Sequence, residues 1–218
     1  SLQLNSVSTD NLGVVFGGLI SEANGGAGAT TDVLTLVKIG AGRATLTGAN
    51  TYHGGTTVSA GTLMVNNISG SATGSGVVTL SPGATLAGTG TIGEDVMLLG
   101  AVGNPSSIAP GDPSVNGGIG TLTISGDVNF GANTGALFTI RGNGDNDLLV
   151  ASHLIADATT LFHILFDGTY SPTLGDTFDF INWGSAPSTG DIELTDNLDL
   201  PALPAALFWD TSLFNTTG

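Results

Sequence analysis

The sequence predicts an all-β protein in which short strands stack into a solenoid. Three observations predict this. The chain holds 35 glycines among 218 residues, its apolar residues lie in short alternating runs, and similar short segments recur along it. Runs this short between glycines are typical of strands joined by tight turns and are too brief for helices. We therefore expect an ordered chain of stacked strands.

Thr-Leu pairs mark the repeat and are nearly always followed within a few residues by Gly, Ser or Asn. Leu46, Leu63 and Leu80 are 17 residues apart, and Leu63 and Leu86 are 23 apart. A period of about 20 residues is typical of a solenoid, in which each turn, here called a rung, stacks on its neighbours. One rung cannot bury its own inner face, so several rungs and two end caps are expected.

The segment 40–67, "GAGRATLTGANTYHGGTTVSAGTLMVNN", predicts the path of one rung. Glycine accepts positive φ and suits tight corners, and asparagine does so at a small cost. We predict corners at Gly48, Gly54–Gly55 and Gly61. Alternation predicts an inward row made of Leu46, Val58, Leu63 and Val65.

Near residue 130 the predicted strands become longer and richer in aromatic residues. We predict Gly- and Thr-rich solenoid rungs over residues 1–130, with the repeat core at 40–65. Residues 131–218 then form either a continuing solenoid or a β cap with an aromatic core, wider than the preceding rungs. The aromatic residues from 130 onward include Phe130, Phe138, Phe162, Phe166, Phe178, Phe180, Trp183, Phe208, Trp209 and Phe214.

The same segment resembles the autotransporter-associated β-strand repeat of bacterial surface and secreted proteins. The matching elements are Gly40 and Gly42, Thr45-Leu46-Thr47, Gly48 with Asn50 and Tyr52, Gly55-Thr56-Thr57-Val58, and Gly61-Thr62-Leu63-Met64-Val65. The family usually has Thr-Leu-Thr-Leu where this chain has Arg43-Ala44-Thr45-Leu46. The likeness extends from about residue 12 to 218, and the stretch 40–65 is its most specific part.

The resemblance implies a right-handed parallel β-helix at the exterior of a bacterial cell, serving as a passenger, stalk or matrix protein. It implies no reaction, because these repeats carry no shared catalytic residues. Relatives of this kind continue with one more strand, so we expect the C-terminal region to be one strand short.

Charge and composition exclude several classes of function. The net charge is −15, and the fixed cations are Lys38, Arg43 and Arg141. Nucleic acid is excluded as a partner because neutralising phosphates needs clustered Lys and Arg. The chain has no cysteine, so it offers no disulfide and no thiolate ligand. Without a stretch of 18 apolar residues, a membrane-spanning helix is not expected.

An enzyme is not predicted, although parallel β-helices also include polysaccharide lyases and hydrolases. A lyase needs a strong base beside carboxylates, and a hydrolase needs paired carboxylates across a groove. We interpret Lys38, Arg43 and Arg141 as solvated or edge-protecting charges. No catalytic residue and no cofactor-binding residue is therefore assigned.

The candidates for metal binding are Asp145 and Asp147, which lie in "GNGDND". Asp157 and Asp167 follow at intervals of about ten, so one interpretation is that loop carboxylates of successive rungs stack as a Ca²⁺ ladder. A turn with side-chain hydrogen bonds to the backbone is the favoured alternative. The three histidines are scattered and predict no zinc site.

Three aromatic side chains, those of Tyr52, Trp183 and Trp209, suit either stacking on sugar rings or packing in the core and cap. Packing is favoured, and glycan binding by an adhesin module stays open as an alternative. A fragment of a longer autotransporter passenger is a further alternative.

The N-terminal segment "SLQLNSVS" alternates like a strand but has no evident partner. We predict that Leu2, Leu4 and Val7 complete the C-terminal end of a second subunit, which would build a homopolymer head to tail. The predicted function is that of a non-catalytic extracellular structural subunit of a surface layer, stalk, matrix or filament.

Overall fold

The computed structural model describes residues 1–5, 13–22, 33–112, 118–168, 170–184 and 197–211. Every regular element in these ranges is a β-strand, and the strands form three sheets. Within these ranges, no helix is long and apolar enough to cross a membrane. The prediction of an all-β solenoid is confirmed, because the sheets are built by parallel pairing of successive rungs.

Sheet A has seven strands, each pairing in parallel with the strand one rung away. In stacking order they are β1 (Leu2–Asn5), β3 (Leu36–Ile39), β5 (Thr56–Val58), β7 (Val78–Leu80), β10 (Val96–Leu98), β13 (Val128–Phe130) and β17 (Leu154–Ala156). The register places Leu36 beside Thr56 and Thr56 beside Val78, so one rung takes about 20 residues, as the repeat predicts.

Sheet B has nine strands and forms a second side of each rung. In stacking order they are β2 (Val14–Phe16), β4 (Arg43–Leu46), β6 (Gly61–Val65), β8 (Ala84–Gly88), β11 (Ser106–Pro110), β14 (Thr134–Gly142), β18 (Leu161–Phe166) and β20 (Leu198–Asp199). The ninth strand, β15 (Asp145–Asn146), pairs with β14 in the antiparallel direction and forms a hairpin at its end.

Sheet C forms a third side in the later rungs. Its strands are β9 (Thr91–Ile92), β12 (Thr121–Ile124), β16 (Leu148–Ala151) and β19 (Ile181–Trp183). The chain therefore passes from sheet A to sheet B to sheet C and then begins the next rung, as in β7, β8 and β9 followed by β10, β11 and β12.

The apolar core runs along the inside of the three sheets. The predicted inward row is confirmed, since Leu46, Val58, Leu63 and Val65 are all fully buried. The register stacks Leu63 against Leu86 of the next rung, so like side chains pack along the axis. This stacking buries apolar surface that a single rung would leave in water.

The corner at Gly61 is also confirmed. Gly61 has a φ of +66°, and a Cβ atom there would lie 2.5 Å from the carbonyl oxygen of Gly42. Both the positive φ and the close approach of the previous rung require glycine at this corner.

Sheets A and B run through residue 130 without a break. The later rungs carry aromatic pairs in the same core, with ring centroids 5.5 Å apart for Phe130 and Phe162 and for Phe138 and Phe180. Offset and edge-on pairs of this kind add to the stability that buried area provides. The greater width of this region and a boundary near residue 130 stay predictions.

The prediction that the N-terminal strand lacks a partner is wrong. Strand β1 pairs in parallel with β3, with Leu2 beside Leu36 and Leu4 beside Lys38. Leu4 is 3% exposed and belongs to the core, whereas Leu2 is 38% exposed. The local pattern showed an alternating strand but not its partner, which lies 34 positions further along the chain in this register. Val7 lies outside the described residues.

Candidate functional site

At the N-terminal end of the solenoid, the described strands leave one edge of sheet A and one edge of sheet B unpaired. Strand β1 pairs with β3 and strand β2 with β4, and no other described strand pairs with either. Apolar side chains are exposed here, with Val15 62% and Leu19 64% accessible to solvent. An exposed edge with unpaired backbone groups is a template for pairing with another chain.

The C-terminal end presents a matching edge of sheet B. Strand β20 pairs in parallel with β18, with Leu198 beside Phe162 and Asp199 beside His163. Among the described strands, β20 has no second neighbour. The same sheet therefore ends in β2 at one end and in β20 at the other.

A groove of about 530 Å³ lies beside β20, and we call it the terminal groove. Residues 172–180 form one wall, and the chain from Leu198 to Thr211 forms the other. Its apolar lining consists of Leu174, Phe178, Phe180, Leu198, Leu200, Leu203, Leu207, Phe208 and Trp209. Leu174 is 86% and Phe208 is 80% exposed, so the groove leaves large apolar side chains in contact with water.

The wall of the terminal groove is anchored to the solenoid through Trp209. Its Nε1 donates a hydrogen bond to the carbonyl oxygen of Pro201 at 3.0 Å. Its ring stacks on Phe166 with centroids 5.9 Å apart and lies 6.1 Å from that of Phe178. The predicted packing role of Trp209 is confirmed, and its ring is only partly buried.

Carboxylates form the rim of this groove, at Asp176, Asp179 and Asp210. Asp176 accepts a hydrogen bond from the Tyr170 hydroxyl and another from the Thr173 backbone N–H at 2.7 Å. The hydrogen bond from Tyr170 is the main cause that lowers the pKa of the Asp176 carboxyl below its usual range. The rim is thus negatively charged at neutral pH.

Lys38 is buried, which corrects its interpretation as a solvated or edge-protecting charge. Its side chain is fully inaccessible, and Nζ donates to the carbonyl oxygens of Ile39, Gly40 and Ala60 at 3.0, 2.7 and 2.9 Å. Burial lowers the pKa of the Lys38 ammonium. Three acceptors match the three N–H bonds of that group, so its role is to close a corner.

The two arginines pair with carboxylates. Arg43 lies 3.0 Å from Asp112, and Arg141 lies 2.8 Å from Asp145. The Arg43–Asp112 pair joins rungs far apart in sequence, and the Arg141–Asp145 pair sits across the β14–β15 hairpin. Surface pairs of the second kind contribute little to stability.

The calcium candidates Asp145 and Asp147 face different partners. Asp145 pairs with Arg141, whereas the Asp147 carboxylate is 3% exposed and accepts the N–H groups of Gly120 at 2.9 Å and Thr139 at 2.8 Å. Burial raises the pKa of Asp147 to about 6. The described residues contain no group of three or more metal-ligating side chains, and calcium binding stays a prediction.

The other carboxylates of the proposed ladder are also apart. Asp157 accepts hydrogen bonds from the backbone and hydroxyl of Thr159, which lowers its pKa, and Asp167 is buried behind β18. Asp157 bonds the backbone two residues away, as in a local turn, whereas the backbone partners of Asp147 lie in other strands and loops.

Tyr52 is fully buried and shares a 2.6 Å hydrogen bond with the Thr56 hydroxyl. Burial raises the pKa of its hydroxyl to about 12. Trp183 is partly buried and packs against the core. Packing is confirmed for both residues, and Tyr52 offers no face to a sugar ring.

Sequence reasoning missed two sets of residues. Each histidine pairs through Nδ1 with a carboxylate of another segment: His53 with Glu22 at 2.6 Å, His153 with Asp127 at 2.7 Å, and His163 with Asp199. The terminal groove was also missed, because Trp209 was predicted to pack in the core or cap. In both cases the missing information was which distant segments of the chain lie side by side.

Comparison with known proteins confirms the family resemblance. Residues 36–65 match the model of the passenger-associated-transport-repeat family. The adhesin BmaC autotransporter of Brucella suis biovar 1 (strain 1330) is 49% identical over 75 residues. That alignment covers 33% of this chain and 2% of the adhesin, so the chain spans a small fraction of its relative's length.

Proposed function

We propose that the chain is a non-catalytic structural module displayed at a bacterial surface, because residues 36–65 match the passenger-associated-transport-repeat family. The observation that carries the proposal is the continuous parallel pairing of seven strands in sheet A and eight in sheet B. Backbone hydrogen bonds that run along the axis make a stiff rod, and a rod separates whatever is joined to its ends.

Surface display is tested on intact cells of the source bacterium. Antibody against residues 1–218 should label unbroken cells or their culture medium, and external protease should remove the signal. Labelling that requires permeabilised cells would contradict the proposed location.

A non-catalytic role is supported by the hydrogen bonds and ion pairs of the three fixed cations. Lys38 is enclosed by carbonyl oxygens, and Arg43 and Arg141 pair with carboxylates, so no cation of the chain is placed as a base over an open groove. We expect no shortening of acidic or neutral polysaccharides during prolonged incubation with the purified chain. Unsaturated or reducing ends that accumulate with protein concentration would refute this.

Self-assembly head to tail is the finer part of the proposal. Sheet B ends in β2 on one side and in β20 on the other, and each keeps an edge that the described strands leave unpaired. A contact between unlike ends does not close on itself and builds a filament. Electron microscopy and light scattering of the purified chain should show rods whose length grows with concentration. If the chain is a monomer at every concentration, the proposed self-assembly is contradicted, whereas the proposed role as a passenger is not.

Glycan binding is a second candidate function, favoured by the terminal groove. An exposed Phe208 beside Trp209, with carboxylates at the rim, has the aromatic faces and hydrogen-bond acceptors that sugars use. A glycan array should then show binding that Phe208→Ala abolishes and Val102→Ala, at an exposed loop position, leaves intact. Equal binding by both variants would exclude the groove.

A further inference from the structure

We infer that the terminal groove of one copy receives the N-terminal rung of a second copy, with β2 added to β20 and Leu19 inserted in the groove. This inference rests on the proposed head-to-tail assembly and names its contact surfaces. It assigns to β2 the exchange that the sequence predicted for the N-terminal segment, because β2 ends the same sheet as β20, whereas β1 ends sheet A.

Strand direction favours this contact. Strand β2 runs parallel to β4, and β20 runs parallel to β18, so every intervening strand of sheet B continues one direction. A second copy translated along the axis therefore presents β2 parallel to β20, and the sheet continues without a change of pattern. Two copies joined tail to tail would place β20 antiparallel to β20 instead.

Chain order places Leu19 over the groove. Leu19 follows β2 in the first rung, just as residues 200–209 follow β20 in the last, so both occupy the side of the solenoid that comes after sheet B. The neighbouring Ile20 is fixed to the next rung, since its N–H donates to Asn50 Oδ1 at 2.7 Å and its carbonyl oxygen accepts the Thr51 N–H at 3.1 Å. Leu19 is thus an exposed apolar side chain on an anchored segment.

Apolar exposure is matched at the two ends. Leu19 is 64% exposed, and across the groove Leu174 is 86% and Phe208 is 80% exposed. A rung stacked on the groove would cover these side chains as neighbouring rungs cover the core inside the molecule. Covering such side chains removes apolar surface from water, which favours association.

The charge distribution favours a contact between unlike ends of two copies. Residues 1–93 contain three carboxylates and two fixed cations, whereas residues 131–218 contain eleven carboxylates and one fixed cation. A tail-to-tail contact would bring two acidic rims together, and like charges at an interface are unfavourable. A contact of the nearly neutral N-terminal end with the acidic C-terminal end avoids this repulsion.

The test blocks each end separately with one substitution. Leu19→Asp blocks the N-terminal end and keeps the groove, and Phe208→Asp blocks the groove and keeps Leu19. Each places an unpaired carboxylate in the apolar contact, so each should raise the concentration needed for association by about a hundredfold. Size-exclusion chromatography with light scattering measures the mass of each variant.

Mixing the two blocked variants is the decisive arm. Each variant keeps the end that the other has lost, so an equimolar mixture should form one-to-one dimers and nothing longer. Val102→Asp is the matched control, since Val102 is 89% exposed in a loop away from both ends, and it should assemble as the unchanged chain does. Circular dichroism confirms that all three variants fold.

Three outcomes would overturn the inference. Polymers that persist in both variants would place the interface elsewhere and leave the proposed structural function intact. Monomers of the unchanged chain at all concentrations would remove assembly altogether. A lower unfolding temperature of Phe208→Asp, with association unchanged, would indicate that Phe208 packs within its own chain and takes no part in the contact.

Discussion

Lys38 Nζ donates a hydrogen bond to the carbonyl oxygen of Ala60 at 2.9 Å, which joins the end of β3 to the corner of the next rung. Because the same ammonium serves two more carbonyl oxygens, Lys38→Met should leave three acceptors without their donor. We expect a loss of about 2 kcal/mol in the free energy of unfolding, measured by urea denaturation at pH 7.

Arg141→Met is the control for the change of charge. Arg141 is the exposed partner of Asp145, so its removal changes the net charge equally but breaks an exposed ion pair and no buried carbonyl contact like those of Lys38. Its unfolding midpoint should stay where it is in the unchanged chain. Equal losses in both variants would show that the carbonyl contacts of Lys38 are not what stabilises the corner.

The alternation of residues in β3 predicts that Lys38 is buried, but the charge of lysine led to the opposite interpretation. Leu36 and Lys38 alternate on one face of β3, and alternation correctly predicted the inward row that includes Leu46 and Leu63. Composition argued that a lysine stays in water. Lys38 is an exception because three carbonyl oxygens at the corner accept hydrogen bonds from its ammonium group. No local sequence pattern predicts that these three oxygens converge.

The terminal groove shows a different limit. Alternation fixes which face of a strand is buried, so the core could be predicted without knowing the register. The groove joins residues 172–180 to residues 198–211, and that contact depends on how the chain folds back after β19. Apolar segments that would pack in the core and segments that line an open groove have the same composition, so only the register separates them.

Asp147 predicts a specific dependence of stability on pH. Burial raises its pKa to about 6 in the folded chain, against an ordinary value of 3.8. Between pH 3.8 and about pH 6 the folded chain therefore binds more protons than the unfolded chain. The contribution of Asp147 to the free energy of unfolding is complete below pH 3.8 and is lost as the pH rises through about 6. The destabilisation caused by Asp147→Asn should be largest near pH 4 and shrink by roughly 1–2 kcal/mol by pH 7.

Glu22 supplies the opposite case. Hydrogen bonds from the backbone N–H groups of His53 and Leu34 lower the pKa of this carboxyl, so its contribution is present above its ordinary value of 4.5 and lost on acidification. The destabilisation caused by Glu22→Gln should therefore decrease as the pH falls. Urea denaturation from pH 3 to pH 8 compares both variants, and parallel curves would refute the assignment for Asp147.

Asn50 ties three rungs together. Its Oδ1 accepts the Ile20 N–H at 2.7 Å, and its Nδ2 donates to the Ala72 carbonyl oxygen at 2.6 Å. Asn50→Ala leaves both backbone groups unpaired at a buried position, which should cost about 2–3 kcal/mol. Hydrogen exchange followed by mass spectrometry should show faster exchange at residues 18–22 and 70–74.

Asn66→Ala is the matched control, because Asn66 makes one such bond, to the exposed Thr89 N–H at 3.0 Å. Its loss should be smaller than that of Asn50→Ala, and exchange near Ile20 should not change. A larger loss at Asn66 would mean that stacking of apolar rows, and not the buried asparagine, holds the first rungs.

Gly74 and Gly144 separate two reasons for glycine at a corner. Both have a φ of +67°, but a Cβ atom at Gly74 would lie 2.0 Å from the Tyr52 carbonyl oxygen, whereas none of the surrounding atoms lies within 4 Å at Gly144. Gly144→Ala should cost about 1–2 kcal/mol from backbone strain alone. Gly74→Ala adds a clash with the previous rung and should cost at least about 3 kcal/mol in urea denaturation. Similar losses would show that positive φ, and not close stacking of rungs, makes glycine necessary at Gly74.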